Sequence, residues 1–427
     1  MAQPSILKNI LQKLKIAIFS YRSAPFGGGQ GVYVHDISKA LRASGHDVDI
    51  ISGPPYPILP EGVNLERLPG LDLFQTFSFK ERLNIFLNKK PKKLIDIYEF
   101  LSTLCGGFPE MRTFGYRAKQ WIIDNNNYDI VIDNQSISFG MLDIQKVIPF
   151  IEIIHHPITK DYKHELKASK KILYRLSRYR WYSFLGMQKK VAPKIKRIIT
   201  PSKNSLKDIS KDFGCNPNSI SVINNGLDTD IFIPYKNIER LPYRIITTAS
   251  ADVPLKGLDF TLRAISKLRK DYADINLVII GKLKEGGHTS RLIQSLQIDH
   301  IVKFKTNLTK EDIAKEYAKS SIAIVSSLYE GFGYPVIEAM SCEVPLIAAN
   351  TSSIPELVDS FATLIPPKDT SILISSIQKI INNYDEHRKI AKEGRVHVIN
   401  KFNWTKITKE YEVVIYQTIE DFKNANI

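Results

Sequence analysis

The sequence predicts an α/β protein built from two doubly wound domains. Three observations carry that prediction. Short apolar stretches of strand length alternate with stretches of helical spacing along most of the chain. The alternation runs through the first half and again through the second, with an aperiodic stretch between them. The length of 427 residues exceeds one ordinary core, and fits two domains of roughly 200 residues each.

In the first half, "KLKIAIFS" reads as a buried parallel strand. After a glycine loop, Val32 to Ser44 places Val34, Ile37 and Leu41 at helical spacing. Gly45 ends that helix and "DVDIISG" begins a second strand, which completes one βαβ unit. "YDIVIDN" (Tyr128 to Asn134), "PFIEIIHH" (Pro149 to His156) and "IKRIITPS" (Ile195 to Ser202) read as further strands. The stretch "INNGLDTDIFIPYKNIERLPYR" carries Asn-Gly, Pro234 and Pro242 with little periodicity, and the interdomain linker is placed there. In the second half, strands are expected at "YRIITTAS", "INLVIIG", "IVKFKT", "IAIVSSL" and "PLIAAN". Helical stretches such as Leu258 to Asp271 lie between them, and a last helix follows Asn403. The expected domains are 1–225 and 226–403, with a C-terminal helix over 404–427.

Apolar residues at 43% and charged residues at 24% describe a globular chain. A net charge of +15 predicts attraction to phosphate-bearing partners, or else a solvated basic surface. Cys105, Cys215 and Cys342 are scattered and odd in number, which argues for a reducing compartment and against a disulfide framework. No pair has metal-ligand spacing, and no metal is expected. The N-terminal apolar stretch is interrupted by Lys8, Lys13 and Lys15 and lacks the continuous core of a signal peptide. No run approaches the ~20 apolar residues of a membrane span. The expected location is the cytoplasm, with the inner membrane face as a candidate surface. Two basic and apolar stretches, Phe77 to Phe100 and Lys160 to Arg197, raise that candidate. They read equally as amphipathic helices on an anionic membrane and as packed helices with snorkelling lysines and arginines. Nucleic acid is not an expected partner, because no recognised nucleic-acid module accompanies the charge.

Four motifs could carry chemistry. In "SAPFGGGQGVYVHDIS" a strand leads through Gly27, Gly28, Gly29 and Gly31 into a helix, so backbone amides can approach a phosphate or sugar. The dinucleotide spacing fails at Val34, and a plain glycine turn explains the loop as well. In "IIHHPITKD", His155 and His156 sit at a strand end where open α/β sheets place ligands, and alternation lets only one face a cleft. In "ASADVPLKGLDF", Lys256 precedes a helix, where a cation is disfavoured unless a ligand phosphate needs it; Asp252 is the alternative partner. In "SSLYEGFGYPVIEAM", Gly331 and Gly333 let the chain turn, Pro335 suits a helix start, and Glu330 and Glu338 stand on either side. Carboxylates accept hydrogen bonds in pairs, so each could hold a diol, and helix-start amides suit an anion. A helix-dipole or surface role is the plain alternative for Glu338. Asp228-Thr229-Asp230 is read as a chance D-x-D, since it lies in the linker and not at a strand end.

These residues resemble the retaining glycosyltransferases of family 4. Glu330 and Glu338 match that family's E-x7-E motif. "FGGGQGVYVHDISKALRASGHDVDIISG", "IIHHP", "ITPSKNSLKDI", "INNGLDTDIFIP", "PLKG" and "SSIPELV" look like further landmarks of the family in the same order. The resemblance implies the GT-B architecture: two Rossmann-like domains facing across a cleft, with the C-terminal helix crossing back to the N-terminal domain. It implies an N-terminal acceptor domain and a C-terminal domain binding a UDP- or GDP-sugar, which is a substrate and not a cofactor. Glu338 then resembles the ribose-binding acid, and Glu330 the acid near the donor-sugar hydroxyls. The amides of Gly331, Phe332, Gly333 and Tyr334 would contact that sugar. Lys256 resembles the lysine that neutralises the diphosphate, Gly28, Gly29 and Gly31 the loop closing on the phosphates, and His155 the active-site histidine. The implied activity is metal-independent transfer with retention to a sugar or lipid-linked acceptor in envelope glycan, glycolipid or polysaccharide synthesis. One departure stands out. The arginine usual before this lysine is replaced by Ser250, Ala251 and Asp252, and Lys282 is the candidate substitute. The alternatives are a catalytically impaired membrane-associated binding protein of this fold and a sugar epimerase of the same fold.

Overall fold

A computed structural model describes residues 12–24, 29–73, 76, 78–168 and 171–425. The chain divides into two compact units. The first comprises Met1–Pro201, Ser205–Asn225 and Trp404–Ile427, and the second Ser202–Asn204 and Gly226–Asn403.

Among the described residues the first unit holds seven strands: β1 (Lys15–Ser20), β2 (Asp47–Ser52), β3 (Asn64–Arg67), β4 (Ile130–Asn134), β5 (Phe150–Ile153), β6 (Ile198–Thr200) and β7 (Ile220–Val222). Their order is β3-β2-β1-β4-β5-β6-β7, and every pairing is parallel. Strands buried on both faces read as continuous apolar runs, which is why "KIAIFS" and "IVIDN" carry few charges. One core lies on the side of Phe19, Val131 and Phe150, and the other on the side of Ile18, Ile132 and Ile151. The strand order reverses between β1 and β4, so the loops after these two strands flank the crevice where such sheets bind ligands.

The last helix, Trp404–Ala425, belongs to this first unit. Ile407, Tyr411, Val414 and Ile415 are buried at one-face spacing. They pack with Tyr33, Val34, Ile37 and Leu41 of the helix Gly29–Ala43. The Tyr33 and Tyr411 hydroxyls meet at 2.7 Å, and His46 Nε2 lies 3.2 Å from Glu412 Oε1.

The second unit holds β8 (Leu241–Thr248), β9 (Asn276–Ile280), β10 (Val302–Lys305), β11 (Ser320–Val325), β12 (Leu346–Ala349) and β13 (Thr363–Ile365). The order is β10-β9-β8-β11-β12-β13, again all parallel. Here the switch falls between β8 and β11. The predicted linker contains the crossing between units at Asn225 and Gly226, and its last residues already form the start of β8.

Three strands carry no recognisable signal in the sequence. β3, β7 and β13 are sheet edges of three or four residues, with one neighbour each and too short to show a period. The strand expected to reach His156 stops at Ile153, because the chain leaves the ladder and turns at His155 and His156. Among the described residues, no helix is long and apolar enough to cross a membrane.

Candidate active site

In the second unit the site grows from the two switch-point strands. β8 runs into a loop and the short 3-10 turn Pro254–Lys256, and β11 runs into the turn that starts at Ser326. The two loops are stitched together: the Leu328 amide donates to the Leu255 carbonyl at 2.7 Å, and Ser326 Oγ donates to the Gly257 carbonyl at 3.0 Å. This brings Lys256 Nζ within 2.8 Å of Glu330 Oε1. Ser327 Oγ donates to the same oxygen at 2.7 Å. The lysine side chain is 30% exposed and the glutamate 12%, so the pair is partly desolvated and open on one side. Asp252, the alternative partner of Lys256, is engaged elsewhere. Its Oδ1 accepts from the Thr289 amide at 2.7 Å, at the start of the helix His288–Ser295. Lys282 is exposed just past β9, the strand beside β8.

The turn after Glu330 is shaped by serines. Ser353 Oγ donates to the carbonyls of Glu330 and Phe332, and Ser202 Oγ donates to that of Gly331 at 2.8 Å. In a trans peptide the N–H points opposite to the preceding C=O. The amides of Gly331, Phe332 and Gly333 therefore point away from the two serines. Other amides near this helix start are already used: that of Glu330 donates to Ser352 Oγ at 2.9 Å, and that of Val336 to the Gly333 carbonyl at 3.0 Å. Gly333 has φ +118, a conformation L side chains rarely adopt, and this sets the entry into the helix Tyr334–Ser341. Pro335 falls on the second helical residue, where it forfeits no intrahelical bond. The Phe332 side chain is in the core against Phe402, so any ligand contact from this residue comes from its backbone. Glu338 sits one helical turn inside, and Tyr317 Oη donates to its Oε2 at 3.2 Å. Burial first, and then the Glu338 charge, push the Tyr317 phenol well above its ordinary pKa, so it stays a donor.

In the first unit, Gly28 lies outside the described residues. Gly29 opens the helix Gly29–Ala43, and a Cβ there would meet nothing within 4 Å. Gly31 has a packing reason, since a Cβ would stand 2.2 Å from the Ala24 carbonyl oxygen. Two residues on, Tyr33 packs edge-on against His155 at 4.6 Å. His155 Nε2 is 2.8 Å from Asn134 Oδ1, so it carries the proton and Nδ1 is the acceptor. Gln135 brackets the same residue: its Oε1 accepts from the His155 amide at 2.9 Å, and its Nε2 donates to the His156 carbonyl at 3.3 Å. Burial, reinforced by the neighbouring His156, lowers the His155 pKa to about 3, so the ring is neutral in ordinary buffers. His156 turns the other way, toward Asp161 at 3.0 Å.

The expected site residues thus assemble separately: Lys256, Glu330, the Gly331 to Tyr334 turn and Glu338 in the second unit, and Gly29, Gly31 and His155 in the first. Sequence reasoning missed Ser327, Ser353, Tyr317, Asn134 and Gln135, which orient them. Ser353 does fall in the quoted "SSIPELV", Ser327 in "SSLYEGFGYPVIEAM" and Asn134 at the end of "YDIVIDN"; Tyr317 and Gln135 carry no local signal. Among the described residues, no group of three or more His, Cys, Asp or Glu is arranged to hold a metal ion.

Two family models together cover residues 27–397 of the chain. Residues 27–231 match Glycosyltransferase Family 4, and residues 232–397 match Glycosyl transferases group 1. The MMP alpha-(1->4)-mannosyltransferase of Mycolicibacterium hassiacum is 37% identical over 410 residues, covering 95% of this chain and 98% of that protein. A probable sucrose-phosphate synthase of Thermosipho melanesiensis is 26% identical over 419 residues, covering 91% and 90% of the two chains. Among solved structures, sucrose-phosphate synthase of Thermosynechococcus elongatus superposes with a TM-score of 0.73 at 20% identity, covering 96% of this chain and all of that one. HepE of Anabaena in complex with UDP-glucose gives 0.68 at 15% identity, with 96% and 100% coverage. At these identities the structures speak for the fold.

Proposed function

This chain belongs to glycosyltransferase family 4, and on that premise we propose that it moves a sugar with retention from a nucleoside-diphosphate-sugar to a hydroxyl acceptor. The observation that carries the proposal is the Lys256–Glu330 pair at the sheet's switch point, where a cation and a carboxylate are held 2.8 Å apart with the turn amides beside them. The donor separates them: its diphosphate takes Lys256, and its sugar hydroxyls take Glu330. Glu338 accepts the ribose diol, replacing or sharing the Tyr317 hydroxyl that donates to it now. The second unit is therefore assigned to the donor and the first to the acceptor. In the first unit His155, held neutral, acts as a hydrogen-bond partner for a sugar hydroxyl and not as an acid.

As the bond between the anomeric carbon and the phosphate oxygen breaks, negative charge grows on the leaving diphosphate. Lys256 and the turn amides stabilise that charge, with exposed Lys282 available where the usual arginine is absent. The acceptor oxygen attacks from the leaving-group face, and its proton passes to the departing phosphate oxygen. No side chain is assigned as a covalent nucleophile. The name of the 37% identical relative makes mannose the first sugar to test. We place the acceptor in a polysaccharide, glycolipid or envelope glycan.

The test is a thermal-shift screen of UDP-, GDP- and ADP-sugars, since a ligand that binds the folded state raises the midpoint. One nucleotide series should stand out, and NMR of the product with its acceptor should show the donor's anomeric configuration kept. No shift with any nucleotide-sugar overturns the donor assignment, an inverted product the mechanism, and conversion of the free nucleotide-sugar to an epimer the reaction type.

A further inference from the structure

The chain's positive charge is not spread evenly. Between Leu166 and Lys207 there are thirteen Lys and Arg residues and no Asp or Glu, while the whole chain is only +15. Outside this segment the charge nearly balances. Within it stands the helix Ile172–Trp181, which buries none of its residues. Ile172, Leu176 and Tyr179 follow helical spacing on one face with Leu173 beside them, and they are 73%, 50%, 69% and 78% exposed in that order. Arg175 and Arg180, both exposed, border this face, and exposed Lys189 and Lys190 follow in the next helix.

The helix is nonetheless fixed in place. Trp181 packs against Phe108 at 5.1 Å, and the next residue, Tyr182, is buried and donates to Glu165 Oε1 at 3.0 Å. Arg178 lies 3.3 Å from the other Glu165 oxygen and over the rings of Tyr174 and Trp181. The anchoring residues thus sit at the helix's end while four large apolar side chains stand in water. An aliphatic face of this kind, rimmed by arginines, has no use in solvent.

We propose that the helix Ile172–Trp181 is a docking surface for an anionic lipid bilayer. Ile172, Leu173, Leu176 and Tyr179 enter the boundary between headgroups and acyl chains. Arg175, Arg180, Lys189 and Lys190 meet the lipid phosphates. Charge complementarity selects an acidic partner, and the aliphatic face selects lipid over nucleic acid, which is bound through aromatic stacking and hydrogen bonds. The proposal is independent of the donor assignment, because none of these residues belongs to the candidate site.

The full-length protein is tested by flotation with vesicles of phosphatidylcholine alone and with phosphatidylcholine containing phosphatidylglycerol. It should float with the anionic vesicles, stay behind with the neutral ones, and be released as salt rises. Each basic residue at a membrane surface strengthens binding about fivefold, so Arg175→Glu with Arg180→Glu should weaken partitioning by more than tenfold. Leu173→Ser with Leu176→Ser should weaken it as well, and neither pair should move the thermal midpoint, since this helix buries nothing. Absence of flotation overturns the proposal, as does flotation that both double variants retain. Concentration-dependent doubling of mass that Leu173→Ser with Leu176→Ser abolishes, without flotation, would assign the face to a second copy. Retention of RNA without flotation would assign it to nucleic acid.

Discussion

Lys256 and Glu330 are 74 positions apart in the sequence and 2.8 Å apart in the structure. Their contact joins two of the motifs singled out in the sequence. Without ligand each neutralises the other, so neither is a lone charge in a partly desolvated turn. Under the proposed function, the donor's diphosphate must displace a carboxylate to reach the lysine.

That exchange sets opposite expectations for the two residues. On the proposed donor assignment, Lys256→Ala removes the cation that meets the leaving group, and should cost roughly 2–4 kcal/mol of transition-state stabilisation, seen as a fall in kcat. Glu330→Gln keeps a group that can accept from Ser327 but frees the lysine. Nucleoside-diphosphate affinity should then rise while kcat falls. Calorimetry of nucleotide binding beside steady-state kinetics checks both, and a Glu330→Gln variant with weaker nucleotide binding would refute the exchange.

His155 gives a pH expectation. Its folded-state pKa is about 3, and an unfolded histidine titrates near ~6.5. Between these values the unfolded chain binds more protons, so stability rises with pH. The contribution is complete above the unfolded value and is lost as pH falls from about 6.5 toward 3. Denaturant melts at a series of pH values should show a shallower acid loss in His155→Gln than in the parent chain. Equal slopes would show that the ring is not desolvated.

Gln135 is a positioning residue for that histidine. It holds φ +63, unusual for a side chain other than glycine, and its amide reaches two backbone groups of the His155–His156 turn. Gln135→Ala leaves the His155 amide unpaired at a cost of roughly 1–3 kcal/mol. The denaturant midpoint should fall accordingly. A role in orientation further predicts a fall in kcat at unchanged nucleoside-diphosphate affinity, which Gln135→Asn would not restore, its amide being one methylene too short.

The final helix is a structural part of the first unit. Ile415 is fully buried against the same core as Ile37 and Leu41. Ile415→Ala should destabilise by roughly 2–5 kcal/mol, read from the shift of the unfolding midpoint. A loss below ~1 kcal/mol, far short of what a buried Ile deletion costs, would mean the helix is not docked.

The sequence alone determined the two-unit α/β plan, because central parallel strands are buried on both faces and must be continuous apolar runs, as "KIAIFS" and "SSIAIV" are. Strand-end motifs were legible for the same reason: Lys256, Glu330 and His155 each follow such a run within a few residues. The edge strands β3, β7 and β13 were not, since three or four residues beside a single neighbour leave no period to read. Only tertiary structure decided the partners. Proximity between β8 and β11 paired Lys256 with Glu330 rather than Asp252, and sent Asp252 to a helix start instead. It also brought Asn134 and Gln135 to His155, and Ser202 and Ser353 to the glycine turn. Strand adjacency in a parallel sheet follows crossover connections and not sequence order, so contacts across it are invisible along the chain.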